Sequence, residues 1–189
     1  MISKEIIFAG FGGQGILYMG KLLAYAAINE GLNVSWLPSY GPEMRGGTAN
    51  CSVIITDGII GSPVITKADA IVVMNKPSLE KFEPDLKKDG LLIMNSDLID
   101  IEPIRTDIKV INISANTLVK QIGVNAVANM ILLGALVEAI KIIKFDILID
   151  TLKEHGKESF YNSNKKALYI GRDEYEKQML EILDEKCKL

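Results

Sequence analysis

"EIIFAGFGGQG", residues 5–15, decides how this chain folds. Residues 5–10 read as a β-strand running into a glycine-rich turn. Gly10, Gly12 and Gly15 then match the spacing G-x-G-x-x-G, with Gly13 and Gln14 inside it. Glycines at that spacing let the backbone turn tightly and approach another group closely, and the free amides of the helix that follows attract an anion. The spacing is weak on its own and gains weight from a strand before it and a helix after it. That helix is legible in "QGILYMGKLLAYAAINE", residues 14–30, whose apolar positions recur with helical spacing and stop at Gly31, a C-terminal glycine.

Working outward, "NVSWL" (33–37) is the next strand, so the first 37 residues predict a β-α-β unit with parallel strands. "NCSVIIT" (50–56) reads as a strand, and Asp57-Gly58 signals a hairpin whose returning arm, residues 59–65, is kept short or at an edge by Pro63. A hairpin inside a parallel pattern makes the sheet mixed. Strands follow at 69–74, 90–96 and 109–114, with a short helix near 77–82. Their continuous apolar character predicts a sheet covered on both faces. The last third predicts helices near 115–122, 125–143, 146–155 and 172–186. No repeat or linker divides residues 1–189. The expected fold is a single three-layer α/β/α Rossmann-like domain with a mostly parallel, mixed sheet and a helical C-terminal third.

Composition removes several function classes. A net charge of −3 with no basic block leaves no electrostatic footprint for nucleic acid. The two cysteines, Cys51 and Cys187, lie far apart, and His155 is the one histidine. That inventory cannot ligate an iron–sulfur cluster or a Cys/His zinc centre, so no metal site and no catalytic residue is expected. His155 reads as a helix C-terminal cation before Gly156. The longest apolar run, Met130–Val137, has eight residues against the roughly 20 of a membrane helix. A cytoplasmic protein with no membrane partner is expected.

A hydride-transferring dinucleotide enzyme needs an acid near the tip of the second strand. Ser35 stands there, followed by Trp36-Leu37-Pro38. The glycine turn is therefore open to two other uses: receiving a loop of a neighbouring protein, or a cofactor phosphate held with another chain. A second unusual stretch is "YGPEMRGG", residues 40–47. Between Glu30 and Asp57 only Glu43 and Arg45 are charged. Trp36 and Tyr40 fit core or interface anchors as well as cofactor platforms. Asn129 is read as a cap or cross-bond and Gly134 as a site of close helix packing.

"FAGFGGQG", "WLPSYGPEMRGGTANCSVII", "PSLEKFEP" and "ANMILLGALVE" together resemble the gamma subunit of 2-oxoacid:ferredoxin oxidoreductases, over about residues 4–145, with an echo at "NKKALYIG" (164–171). Within the family the chain is most similar to the 2-oxoglutarate type, the branched-chain type being the alternative. The resemblance implies a multi-subunit enzyme that oxidatively decarboxylates a 2-oxoacid to an acyl-coenzyme A. Thiamine diphosphate with magnesium and the iron–sulfur clusters would lie in alpha, beta and ferredoxin-like delta subunits, with ferredoxin or another acceptor receiving the electrons. This chain would bind no cofactor alone; Asp57-Gly58 lacks the context of the magnesium–diphosphate motif of thiamine enzymes.

On that reading Gly10, Gly12, Gly13, Gln14 and Gly15 are the candidate cofactor contacts. Tyr40, Gly41, Pro42, Glu43, Arg45, Gly46 and Gly47 are the candidate subunit-interface or coenzyme-A-proximal residues, unless the loop is an ordinary structural turn. Arg45 offers planar paired donors to a carboxylate or phosphate. Two other functions stay open: an independent nucleotide- or coenzyme-A-binding protein, and an assembly subunit with no ligand contact. An isolated chain is expected to self-associate as a two-fold dimer.

Overall fold

The computed structural model describes residues 2–39 and 48–186. Tyr40, Gly41, Pro42, Glu43, Arg45, Gly46, Gly47 and Cys187 lie outside the described residues. Six strands form one sheet: β1 (Ser3–Phe11), β2 (Asn33–Ser39), β3 (Thr48–Thr56), β4 (Ala68–Val73), β5 (Leu86–Asn95) and β6 (Lys109–Ile113). Their order across the sheet is β2-β3-β1-β4-β5-β6. The β1–β4, β4–β5 and β5–β6 pairs are parallel, and β3 runs antiparallel to both β1 and β2.

The sheet is mixed, but not for the expected reason. β3 inserts between β1 and β2, so the first two strands share a direction without being neighbours. With both edges of β3 occupied, no edge remains for an arm returning from Asp57-Gly58, and residues 59–65 form no strand. Asp57 N–H instead donates to the Ile2 carbonyl and Asn33 Nδ2 to the Gly58 carbonyl, which leads the chain away. Ile59 ends up 99% exposed.

Helix α1 (Ile16–Asn29) buries Ile16, Met19, Leu22, Leu23, Ala26 and Ala27. It closes in a Schellman arrangement: Gly31, at φ +80°, donates to Ile28 O, and Leu32 N–H donates to Ala27 O. Helix α2 (Lys76–Phe82) is capped by Asn75, whose side chain accepts from Ser78 N–H. The short α3 (Ala115–Val119) precedes α4 (Ala128–Ile140), α5 (Phe145–His155) and α6 (Tyr161–Lys186).

Coverage of the sheet is lopsided. Residues of α1, α3, α4, α5 and α6 share the larger core with one sheet face. The opposite face carries α2 and the segments around Ile65, Ile99, Ile101 and Ile108. Helix α4 is buried from Ala128 to Val137 without a break, because the sheet lies beneath it and α6 above. The expected start of the last helix near residue 172 is corrected to Tyr161. Gly171, which reads as an interruption in sequence, sits inside this 26-residue helix where a side chain could not: a Cβ there would lie 1.8 Å from the Ile131 carbonyl oxygen. Gly134 answers it from α4, its Cβ position being 2.0 Å from Leu168 O. The two glycines let the helix backbones touch.

Candidate functional site

The carboxyl end of β1 meets that of β4 at a topological switch point. From β1 the chain turns to α1 on one face, and from β4 to α2 on the other. Open α/β sheets place ligands in such a crevice. The predicted glycine turn lies there, but its residues divide by task.

Gly10 belongs to β1 itself, paired with Ala49 of β3. A Cβ on Gly10 would lie 2.7 Å from both Gln14 Oε1 and Ile16 Cδ1, so this glycine admits neighbours of its own chain. Gly12 and Gly13 form the turn, and Gly13 has φ +93° with open space around it. Gly15 is the N-terminal flank of α1 at φ +77°, and a Cβ there would lie 2.2 Å from Asn129 Nδ2.

Gln14 is the organising side chain. Its Oε1 accepts from Phe11 N–H at 2.6 Å, while its Nε2 donates to Met74 O at 3.2 Å. Those bonds carry it across from β1 to the end of β4, and the backbone repeats the link through Met74 N–H to Ala9 O at 3.0 Å. The crevice that a pyrophosphate would use is thereby partly filled. The remaining cleft beside Gly13, Gln14, Leu98 and Asn116 is about 170 Å³, small against the roughly 300–1,000 Å³ of drug-sized ligand sites. Ser35 is paired with Ile54 midway along the edge strand β2 and supplies no acid to the crevice. The geometry disfavours a dinucleotide.

What remains is an anion-attracting helix start. No side chain caps α1 and no acidic residue lies in its first turn, so its first amides keep their partial positive charge. Asn129 Nδ2 donates to Gly15 O at 3.3 Å, the cross-bond expected for that asparagine, and fixes the turn to α4.

The second predicted segment lies outside the described residues. Of the residues on either side of it, Ser39 pairs with Asn50, and Thr48 pairs with Phe11 at the carboxyl end of β1. β1 and β2 are not adjacent strands as expected, yet both end at that edge.

Sequence reading missed a second cleft, of about 340 Å³, beside Gly15. It is lined by Tyr18, Asn129, His155, Lys157, Phe160 and Asn164. His155 closes α5 as expected, and its ring stacks on Tyr25 with centroids 4.0 Å apart. Burial pushes the Tyr18 phenol upward in pKa. The available signal was an asparagine inside each of two otherwise apolar helix faces.

No group of three or more His, Cys, Asp or Glu able to hold a metal occurs among the described residues, and no helix there is long and apolar enough to cross a membrane.

Comparison with known proteins gives a consistent frame. The sequence profile of the pyruvate ferredoxin/flavodoxin oxidoreductase family matches residues 5–174. Ketoisovalerate oxidoreductase subunit VorA of Methanothermobacter marburgensis is 36% identical over 89% of this chain, which spans only 36% of that relative. The 2-oxoglutarate synthase subunit KorC of Methanothermobacter thermautotrophicus is 33% identical, over 91% of this chain and 95% of that one. The crystal structure of a keto/oxoacid ferredoxin oxidoreductase gamma subunit from Geobacter sulfurreducens superposes with a TM-score of 0.84 at 30% identity, over 93% of this chain and 97% of that one.

Proposed function

The chain belongs to the pyruvate ferredoxin/flavodoxin oxidoreductase family, and from that premise we propose that it serves as the gamma subunit of a 2-oxoacid:ferredoxin oxidoreductase of the 2-oxoglutarate type. One observation carries the reading. KorC and the Geobacter gamma subunit are each matched over nearly their whole length, which supports a gamma-subunit role. Ketoisovalerate is the alternative substrate class, supported by the higher identity to VorA over a smaller share of that protein.

The proposed division of labour gives iron–sulfur and magnesium–thiamine diphosphate chemistry to alpha, beta and delta partners. The present chain contributes an edge. Gly12, Gly13, Gln14, Gly15 and the uncapped start of α1 offer backbone amides to a phosphate of coenzyme A or to a partner's loop. Gly10 supports them from within β1. The Tyr40–Gly47 segment meets the same partner, with Arg45 as its charged contact. Nearby, on the α2 side of the sheet, no helix covers β2 and β3 among the described residues, and the positions on that face include Ser35, Leu37, Asn50 and Ser52 around a buried Ile54. An uncharged flat face of this kind suits a docked subunit. The working location is the cytoplasm.

The test is reconstitution of wild-type and Arg45→Ala chains with the partner subunits, scoring assembly and coenzyme-A-dependent oxidation of 2-oxoglutarate separately. Removing one partner of a buried interfacial charge pair costs on the order of 2–5 kcal/mol, and lysine should not fully rescue because it lacks the planar fork. Loss of turnover with assembly intact assigns Arg45 to the coenzyme A site, and loss of both assigns it to docking. Unchanged assembly and turnover would make the segment an ordinary turn.

A further inference from the structure

The fold leaves the amino end of its sheet unusually apolar. Residues 58–66, "GIIGSPVIT", carry no charge, yet they run largely exposed from β3 past the amino end of β1 to β4. Ile59 projects almost wholly into solvent and Val64 is 61% exposed. Ile2, also exposed, is tied to the start of this segment: its N–H donates to Asp57 Oδ1 at 2.9 Å, and its carbonyl accepts from Asp57 N–H. Ile104, 89% exposed, reaches the same end of the sheet, because Arg105 Nη1 donates to Leu86 O at the start of β5. Exposed connections normally meet water with polar and charged groups, and apolar side chains gathered at one edge mark an interaction surface.

The kind of partner follows from charge, area and distance. Lys67 Nζ donates to Pro84 O at 2.6 Å, and Arg105 holds both oxygens of Asp107. These two cations are spent on the chain's own acceptors, so the surface suits an uncharged apolar protein face better than an anionic lipid headgroup. Four aliphatic side chains fall far short of the roughly 800 Å² per partner that holds a free protein. The occupant is therefore fixed by another contact as well. A two-fold copy of this chain would set the same projecting patch against itself, knob on knob. β1 has nine residues, which at about 3.3 Å each puts this surface roughly 30 Å from the glycine turn. A loop docked at the turn does not reach it.

We propose that this amino-end surface, centred on Ile59 and Ile104, is a second docking site, occupied in the assembled enzyme by an apolar socket of a partner subunit that is also held elsewhere in the complex. On the gamma-subunit reading above, on which this rests, the chain is then gripped at both ends of β1.

The test is hydrogen–deuterium exchange on the full chain, free and reconstituted with the partner subunits, together with a double variant, Ile59→Lys with Ile104→Lys. Amides of residues 58–66 should exchange about tenfold more slowly in the complex than in the free chain. The double variant changes only side chains that face solvent, so it should keep its melting temperature yet join the complex about tenfold more weakly. If it does not fold, exchange in the wild-type complex decides. Wild-type assembly with unchanged exchange at 58–66, or a folded double variant that assembles with wild-type affinity, overturns the second docking site and leaves the subunit role standing. A wild-type chain that joins no partner subunit overturns both. Slow exchange at 58–66 already present in the isolated chain overturns the proposal in favour of a second copy.

Discussion

Gly15 and Gly13 both have positive φ, but only Gly15 would drive a side chain into a neighbour. Forcing an L residue into the left-handed region costs on the order of 1–2 kcal/mol. Gly13→Ala should therefore lose about that much stability to urea. Gly15→Ala should lose a further amount of about 1–3 kcal/mol from the overlap with Asn129. Adding Asn129→Ala to Gly15→Ala should return part of the second loss and none of the first. Equal losses in the two single variants would sink the assignment of Gly15 to the α1–α4 contact. Cys51 offers a second residue-level check. Its thiol is fully buried in β3, donates weakly to Ile16 O at 3.7 Å, and is pushed by burial up to about 12. At pH 8 only about one molecule in ten thousand carries the thiolate, the reactive form. In a Cys187→Ser background the native protein should resist an aromatic disulfide reagent at pH 8 and react once unfolded in urea. Rapid reaction of the native form would contradict the buried placement.

At the scale of elements, the crossing of α4 and α6 is the most constrained packing in the molecule. Ala is intrinsically better than Gly in a helix by about 1 kcal/mol. Here the sign should reverse, because a Cβ on Gly134 or Gly171 meets backbone that cannot rotate away. Each Gly→Ala variant should lose about 1–3 kcal/mol in urea unfolding. The double variant should lose less than the sum, since the helices separate once for both. Strict additivity would mean that each clash is absorbed locally. The segment before β6 is tied down differently. Arg105 Nε and Nη2 donate to the two Asp107 oxygens at 2.8 and 2.7 Å, its backbone N–H donates to Glu83 Oε1, and its Nη1 donates to Leu86 O. The bond from Arg105 holds the Asp107 carboxyl below its ordinary pKa. The folded value lies below the unfolded one, so this pair's stabilisation is present above about pH 4 and is lost as pH falls through the folded value. Asp107→Asn should flatten that part of the acid limb of a stability–pH curve. An unchanged acid limb would show that the pair contributes nothing.

For the whole molecule, the decisive feature is asymmetry. Helices pile on one sheet face, while among the described residues the other has no helix over β2 and β3, and β2 has no outer neighbour. Leu37, 42% exposed, stands on that second face. An edge strand and an uncharged face deprived of their partner invite pairing with a second copy. The isolated chain should sediment as a dimer at tens of micromolar, and Leu37→Lys should return it to monomer without lowering its melting temperature. A wild-type chain that remains monomeric at that concentration would count against an apolar docking face.

The sequence by itself determined the elements with strong local signals. Gly31 stops α1 because only glycine takes its backbone angles cheaply, and the apolar runs at 68–73, 90–95 and 128–137 had to be buried whatever their neighbours. It also determined that two cysteines and one histidine cannot build an iron–sulfur or Cys/His zinc centre. Tertiary structure alone decided the neighbours. A strand's apolar pattern is the same whether its partner runs parallel or antiparallel, so the insertion of β3 between β1 and β2 was invisible. Gly171 reads as a helix breaker until Ile131 O is seen where its side chain would be. Asn164 and Lys157 lie more than 140 residues from Gly15 in sequence, and only the packing of α6 and α5 against α1 turns an isolated asparagine into the wall of a cleft. Local backbone preference is written along the chain, while a site is a set of distances between residues remote in it.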